Sequence, residues 1–306
     1  MTQPPLKLGT RGSPLALVQA NMVREALCAA HAWDRAMVEI VVIRTTGDRR
    51  QDVALAEIGG KALWTKELDR ALRSGDIDFA VHSMKDVETG RPAEITIAAM
   101  LPRADVRDRI IGAESVAALR DGAVVGTSSP RRVAQLKRMR PDLVTMLLRG
   151  NVDTRLAKLA AGEVDATLLA SAGLERLGRV EVGTCIPIEV MLPAAAQGAV
   201  GIEARTEDAA VRALLSAIDD QPTHACVLIE RGLLAVLQAD CHSPVAALAT
   251  LDGTTVTLRA EVFAEDGSAH VAGTLSGAVG DPLLPALLAR DLLDRAPPSV
   301  RGLFAG

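Results

Sequence analysis

Gly9-Thr10-Arg11-Gly12-Ser13-Pro14 and Gly126-Thr127-Ser128-Ser129-Pro130 decide how this chain folds. The first follows an apolar run from Leu6, the second a run from Ala123, and each opens an amphipathic stretch. In both, a serine stands where it can cap a helix. Proline follows in the first turn, where its missing N–H does no harm. Each stretch therefore predicts strand, turn, helix. A second pair, LRSGDIDFAVHS (Leu72 to Ser83) and LAAGEVDATLLAS (Leu159 to Ser171), reads as helix end, glycine stop and buried strand.

Working outward, the repeated alternation predicts two similar α/β lobes whose parallel sheets are covered by helices. Strands are expected from Leu6 to Gly9, Val38 to Thr45, Ile77 to Val81 and Ile95 to Met100 in the first lobe. In the second they are expected from Ala123 to Gly126, Leu143 to Leu148 and Ala166 to Ala170. Thr46 to Ala62 mixes charge and glycine without a period and reads as a long mobile loop, of the kind that often acts as a lid. Past Pro222 the texture changes. A helical run from Ala225 to Leu237 leads to Cys241 in a turn, then to the alternating Thr254 to Phe263 and an amphipathic Asp281 to Ala296. This predicts a third, small α+β domain.

Composition narrows the function. At 306 residues the chain exceeds one ordinary core, and 49% hydrophobic with 24% charged residues fits a folded protein. A net charge of −4 argues against a general binder of nucleic acid or anionic membrane. Aromatic residues make up 2%, with no tyrosine, so stacking platforms for single strands are missing. Four cysteines without a CxxC pair fit reduced thiols in a cytoplasmic protein and no metal site. Neither a signal peptide nor an apolar run of membrane-spanning length is expected.

Arginines gather where the strand-turn-helix units begin: Arg11, Arg131, Arg132, Arg149 and Arg155. Helix N-termini favour anions already, and guanidinium forks add bidentate binding of carboxylate or phosphate, so a polyanionic ligand is implied. VHSMKD (Val81 to Asp86) sets Ser83, Lys85 and Asp86 at the carboxyl end of an apolar strand, where open α/β sheets bind ligands. His82 alternates away from Ser83 and is read as packing. Cys241, between Asp240 and His242, reads either as a nucleophile or attachment point or as an ordinary cysteine; Cys28, Cys185 and Cys226 read as ordinary buried thiols.

Eight segments in order carry a resemblance: TRGSPLAL, GGKALWTKEL, VHSMKD, GTSSPRR, LRGNVDTRL, AGLERLG, AAQGAVGIE and ERGLLAVLQADC. From Arg11 to about Val245 the chain resembles the hydroxymethylbilane synthases, or porphobilinogen deaminases. The resemblance implies an α/β fold of two type II periplasmic-binding-protein-like lobes with mixed or parallel sheets, and a small α+β C-terminal domain. It places lobe 1 at 1–101 and 196–219, lobe 2 at 102–195 and the third domain at 220–306. It also implies a cytoplasmic, monomeric transferase that joins four porphobilinogen molecules head to tail with loss of ammonia. The chain grows on a dipyrromethane held by Cys241 through a thioether, and water then releases hydroxymethylbilane.

By the same resemblance Asp86 is catalytic. Ser83, Lys85, Thr127, Ser128, Ser129, Arg131, Arg132, Gly150 and Asn151 serve the cofactor with Cys241. Arg11, Ser13, Arg149, Arg155, Arg176, Gln197 and the lid residue Lys61 serve the substrate. The sequence departs from the family pattern at Ala239-Asp240 and Ser243 around the cysteine, at Trp64 and Pro130, and at Ala196, where a glycine often precedes Gln197. Two rival readings are a non-catalytic bilobal anion-binding protein and a nucleotide-binding transferase; neither a GxxxxGK[ST] loop nor a GxGxxG fingerprint supports the latter.

Overall fold

The computed structural model describes residues 5–43 and 65–304, which leaves the expected lid and Lys61 outside the described residues. The chain divides into two compact units, Met1–Ala104 with Ala199–His224, and Asp105–Gly198 with Ala225–Gly306.

Chain order in the first unit begins with β1 (Leu6–Arg11) and α1 (Pro14–His31). The turn between them forms as its residues dictate: Ser13 Oγ accepts the Ala16 N–H at 3.3 Å, and Pro14 occupies the first turn. There follow β2 (Val38–Ile43), α2 (Lys66–Ser74), β3 (Phe79–Ser83) and β4 (Ile95–Met100). The second unit then supplies β5 (Asp108–Ile111), β6 (Val124–Gly126), α3 (Pro130–Met139), β7 (Val144–Met146), α4 (Val152–Ala160), β8 (Ala166–Ala170), α5 (Ser171–Arg176) and β9 (Thr184–Cys185). The chain returns to the first unit with β10 (Val200–Arg205) and α6 (Ala209–Leu215). It closes the second with α7 (Gln221–Val236), β11 (Val245–Asp252), β12 (Thr255–Phe263), β13 (His270–Ala278), α8 (Leu284–Arg295) and α9 (Pro298–Arg301).

The first sheet has the order β2-β1-β3-β10-β4 and the second β7-β6-β8-β5-β9. These are one topology. In each, the second strand pairs in parallel with its two neighbours, β1 with β2 and β3, and β6 with β7 and β8. In each, the fourth strand runs antiparallel to its neighbours, β10 to β3 and β4, and β5 to β8 and β9. The sheets are therefore mixed and not parallel throughout, because β5 and β10 cross in the reverse direction. Neither strand was anticipated, nor was β9, since β5 opens on Asp108-Arg109 and β10 carries Glu203, all buried.

The first sheet buries Leu8, Val81 and Ile202 against Ala20, Val23 and Leu27 of α1. Each large aliphatic chain so enclosed contributes about 1.5–3 kcal/mol. In the second unit, the antiparallel meander β11-β12-β13 packs Val256 and Leu258 against Leu233 of α7 and Leu288 and Leu292 of α8. The meander also meets α3, where Ala134 joins Phe263, Ala246 and Leu248 in one apolar cluster.

Candidate active site

Because β1 and β3 are parallel neighbours, the segments that leave their carboxyl ends emerge side by side. One pocket of the first unit is lined by Arg11, Ser13, Leu15, Ala16 and Gln19 from the β1–α1 segment. Val81, His82, Ser83, Asp86 and Val87 face them from β3 and the turn after it, and Thr65 completes the wall. Met84–Asp86 is a single 3-10 turn that presents Asp86 half-buried. Among the described residues the Asp86 carboxylate makes no hydrogen bond or ion pair. Lys85 lies half-buried on the same turn but does not line the pocket.

Sequence reasoning missed Gln19 and Thr65. Gln19 lies on the buried face of α1, where its amide Nε2 stands 2.8 Å from Ser83 Oγ. His82 is buried, as expected for a packing residue, yet it also lines the pocket. Its Nε2 is 3.1 Å from Glu203 Oε2, off the line of a hydrogen bond. Behind the pocket Arg91 gathers three carboxylates: Glu203 (2.8 Å to each oxygen), Asp69 (2.5 Å) and Glu88 (3.1 Å). Thr65 Oγ1 donates to Glu88 at 2.6 Å and so joins the pocket wall to this cluster. Burial works against the charge of Glu203, but the adjoining His82 and the bidentate Arg91 prevail and draw its pKa down to about 2.

In the second unit β6, β7 and β8 are parallel, and their carboxyl ends carry the other expected residues. Ser129 caps α3 by accepting the Arg132 N–H at 3.4 Å, and Asn151 caps α4 by accepting the Thr154 N–H at 2.9 Å. Thr127 is buried in the turn, its N–H donating to Met146 O, and its Oγ1 accepts from Ser129 N at 3.2 Å. Gly150 has φ 114, and a side chain there would strike Thr154. Arg155 Nε donates to Gly150 O at 3.0 Å and its Nη2 to Ser128 Oγ at 3.4 Å. Arg149 Nη1 is buried without a hydrogen-bond partner among the described residues.

Arg131 and Arg132 differ from the expectation that they face a ligand. The first turn of α3 points both inward, where each Nη2 donates at 2.8 Å to one oxygen of Asp108. Their Nη1 atoms hold Leu192 O and Leu168 O. The anion they meet in this structure is the chain's own. Only the Nε of each is left without a partner among the described residues. Gln197 is also buried, donating to Val106 O and to Asp108 Oδ1. Burial alone would raise the Asp108 pKa, but the two guanidinium charges hold it well below the usual carboxylate range. Asp108 is thus the hub that sequence reasoning missed. Arg176 donates to Gly198 O at 2.6 Å, with its Nε buried and unpartnered among the described residues.

Cys241 is exposed in the turn between α7 and β11, whereas Cys28 and Cys226 are buried as expected and Cys185 is only half-buried. The neighbouring Asp240 uses Oδ1 to accept the His242 N–H at 2.8 Å, and its own N–H donates to Ser243 Oγ at 3.0 Å. Asp240 and Ser243, the departures noted above, are the residues that tie this turn together.

Two α/β sheets of one topology, charged turns at the carboxyl ends of their strands, and a C-terminal α+β layer with an exposed cysteine define a two-lobed α/β protein. Residues 6–213 match the family described as "Porphobilinogen deaminase, dipyromethane cofactor binding domain", and residues 224–292 match the porphobilinogen deaminase C-terminal domain. The porphobilinogen deaminase of Sphingopyxis alaskensis is 60% identical, covering 98% of this chain and 97% of its own length. That of Paracoccus denitrificans is 48% identical over 96% of each chain. The periplasmic VFT2 domain of Bordetella pertussis BvgS is similar in structure at 16% identity, covering 70% of this chain and 86% of that one with a TM-score of 0.41. This chain belongs to the porphobilinogen deaminase family.

Proposed function

We propose that the chain joins four porphobilinogen molecules head to tail, with loss of ammonia, and releases hydroxymethylbilane by hydrolysis. The observation that carries this reading is the Asp86 carboxylate, half-buried and without an ion partner among the described residues, in one pocket with Arg11, Ser13 and Ser83. Loss of ammonia from the aminomethyl group leaves a cation spread over the pyrrole ring, which makes the ring N–H a stronger donor. Asp86 accepts that N–H and lowers the energy of the cation more than that of the substrate. Arg11 and Ser13 take the acidic side chains of the ring.

The second unit fits dipyrromethane. Buried guanidinium nitrogens without partners among the described residues, at Arg131, Arg132, Arg149 and Arg176, are donors suited to its carboxylates, and the exposed Cys241 offers its sulfur for the thioether. When bound, the cofactor supplies the pyrrole carbon on which the product is extended. Ser128, Ser129, Thr127, Gly150 and Asn151 shape the turns that orient these arginines, Gln197 shares Asp108 with Arg131 and Arg132, and Lys85 brings a positive charge for a cofactor carboxylate. In this reading lobe 1 comprises 1–101 and 196–219, lobe 2 102–195 and the cysteine domain 220–306, in a cytoplasmic monomer. No helix among the described residues is long and apolar enough to cross a membrane.

A non-catalytic anion-binding protein is the less favoured reading, because it leaves the exposed cysteine and its C-terminal domain without a role. Intact mass spectrometry with and without porphobilinogen tests the proposal. The purified chain should be heavier than its sequence by one dipyrromethane, gain discrete pyrrole increments with substrate, and lose the adduct in Cys241→Ser. A bare chain that does not consume porphobilinogen overturns it.

A further inference from the structure

We propose that Gln19 is a positioning residue that sets the direction of the Ser83 hydroxyl proton, a role that rests on the reading of the Asp86 pocket given above. Gln19 is 2% exposed, on the same face of α1 as Ala20, Val23 and Leu27, all fully buried. An apolar side chain would pack there without the desolvation cost of an amide, so the amide calls for a partner. That partner is Ser83: Nε2 lies 2.8 Å and Oε1 3.0 Å from its Oγ. The Ser83 backbone is fixed by its pairing with Val200 in β10, and both side chains line the pocket that holds Asp86.

A hydroxyl has one proton. If Gln19 Nε2 donates to Ser83 Oγ, that proton is released toward the pocket and Ser83 acts as a donor. If Ser83 instead donates to Oε1, it offers the pocket only a lone pair. The shorter contact is the first. Arg11 and Ser13 bring further donors to the same pocket, while Asp86 supplies the acceptor for a ring N–H. Ser83 therefore completes a donor set for a substrate carboxylate, and Gln19 keeps it in that state.

The test is a double-mutant cycle of Gln19→Met and Ser83→Ala, read as KM and kcat for porphobilinogen on protein whose mass includes dipyrromethane. Gln19→Met should raise KM about 3- to 10-fold, the range one hydrogen bond covers, with kcat and the thermal midpoint close to wild type. In the Ser83→Ala background the same change should add nothing. Gln19→Glu, which can only accept, should raise KM further than Gln19→Met. Gln19→Ala gives the same reading if Met packs badly. Additive losses, a loss confined to kcat, an unchanged KM, or a Glu variant closer to wild type than Met each overturns the proposal. A wild type lacking adduct and turnover overturns instead the reading of the site on which this rests, and with it the ligand assigned to Ser83.

Discussion

Gly201 and Met84 pack so closely that a β-carbon on Gly201 would stand 2.1 Å from the Met84 sulfur. Gly201 faces His82 in the β3–β10 pairing, and Met84 opens the 3-10 turn that ends at Asp86. Met84 is itself buried, so it has no open space into which to retreat. Gly201→Ala should push the turn out of place, costing about 1–3 kcal/mol in overpacking and lowering kcat. Steady-state kinetics beside thermal unfolding will check this. Shortening Met84 to valine in the same chain should recover part of the loss, which a general weakening of β10 would not allow.

Asp86→Asn removes the charge and keeps the shape. If the carboxylate stabilises a cation that exists only along the reaction path, kcat should fall by about 100- to 1,000-fold while KM changes little. The variant should still bind porphobilinogen, seen as a mass shift or by equilibrium dialysis. A variant whose KM rises in step with its lost kcat/KM would make Asp86 a binding residue only.

Glu203 makes a pH prediction whose sign follows from its lowered pKa. In the unfolded chain it takes a proton near pH 4.5, whereas in the folded chain it stays ionised down to about 2. The stability it contributes is complete above pH 4.5 and is lost as pH falls through that window, on the order of 3 kcal/mol. Denaturant titrations of wild type and Glu203→Gln should differ most near neutrality, where the variant leaves Arg91 under-compensated. The gap should narrow as the pH is lowered from 4.5 toward 2. A gap independent of pH would show that the carboxylate acts through shape alone.

What was legible in the sequence was local chemistry. Ser13 and Ser129 cap helices because each lies within three residues of the N–H it accepts, and such spacing is visible in a string of letters. The glycine stop at Gly75 is of the same kind, with φ 76. β5 and β10 escaped because their charged residues are neutralised from far along the chain, Asp108 by Arg131 and Arg132, Glu203 by Arg91. No apolar pattern announces such a strand. Gln19 was hidden for the same reason, since its partner lies 64 residues away. Ala196 was noticed only as a departure from the family pattern; its φ of 60 explains why glycine often stands there.

Gln238, like Ala32 and Ala196, is a non-glycine residue with left-handed φ. It follows α7 with φ 50, its N–H donates to Ala235 O, and the next N–H, of Ala239, reaches back to Leu234 O at 2.8 Å. These two bonds and the left-handed residue form a Schellman cap, in which glycine is the residue without a steric penalty. The Gln238 side chain is exposed, so its removal loses no core packing. Gln238→Gly should therefore stabilise the protein by about 0.5–1 kcal/mol, the relief of the left-handed strain less glycine's greater unfolded entropy. Gln238→Val should destabilise it, because a β-branched residue tolerates that conformation worst. Both are read from the midpoint of chemical denaturation. Since the cap sets where the chain leaves α7 three residues before Cys241, the valine variant should also carry less dipyrromethane by intact mass. Glycine and valine variants of equal stability would mean that this helix end does not hold the left-handed cap.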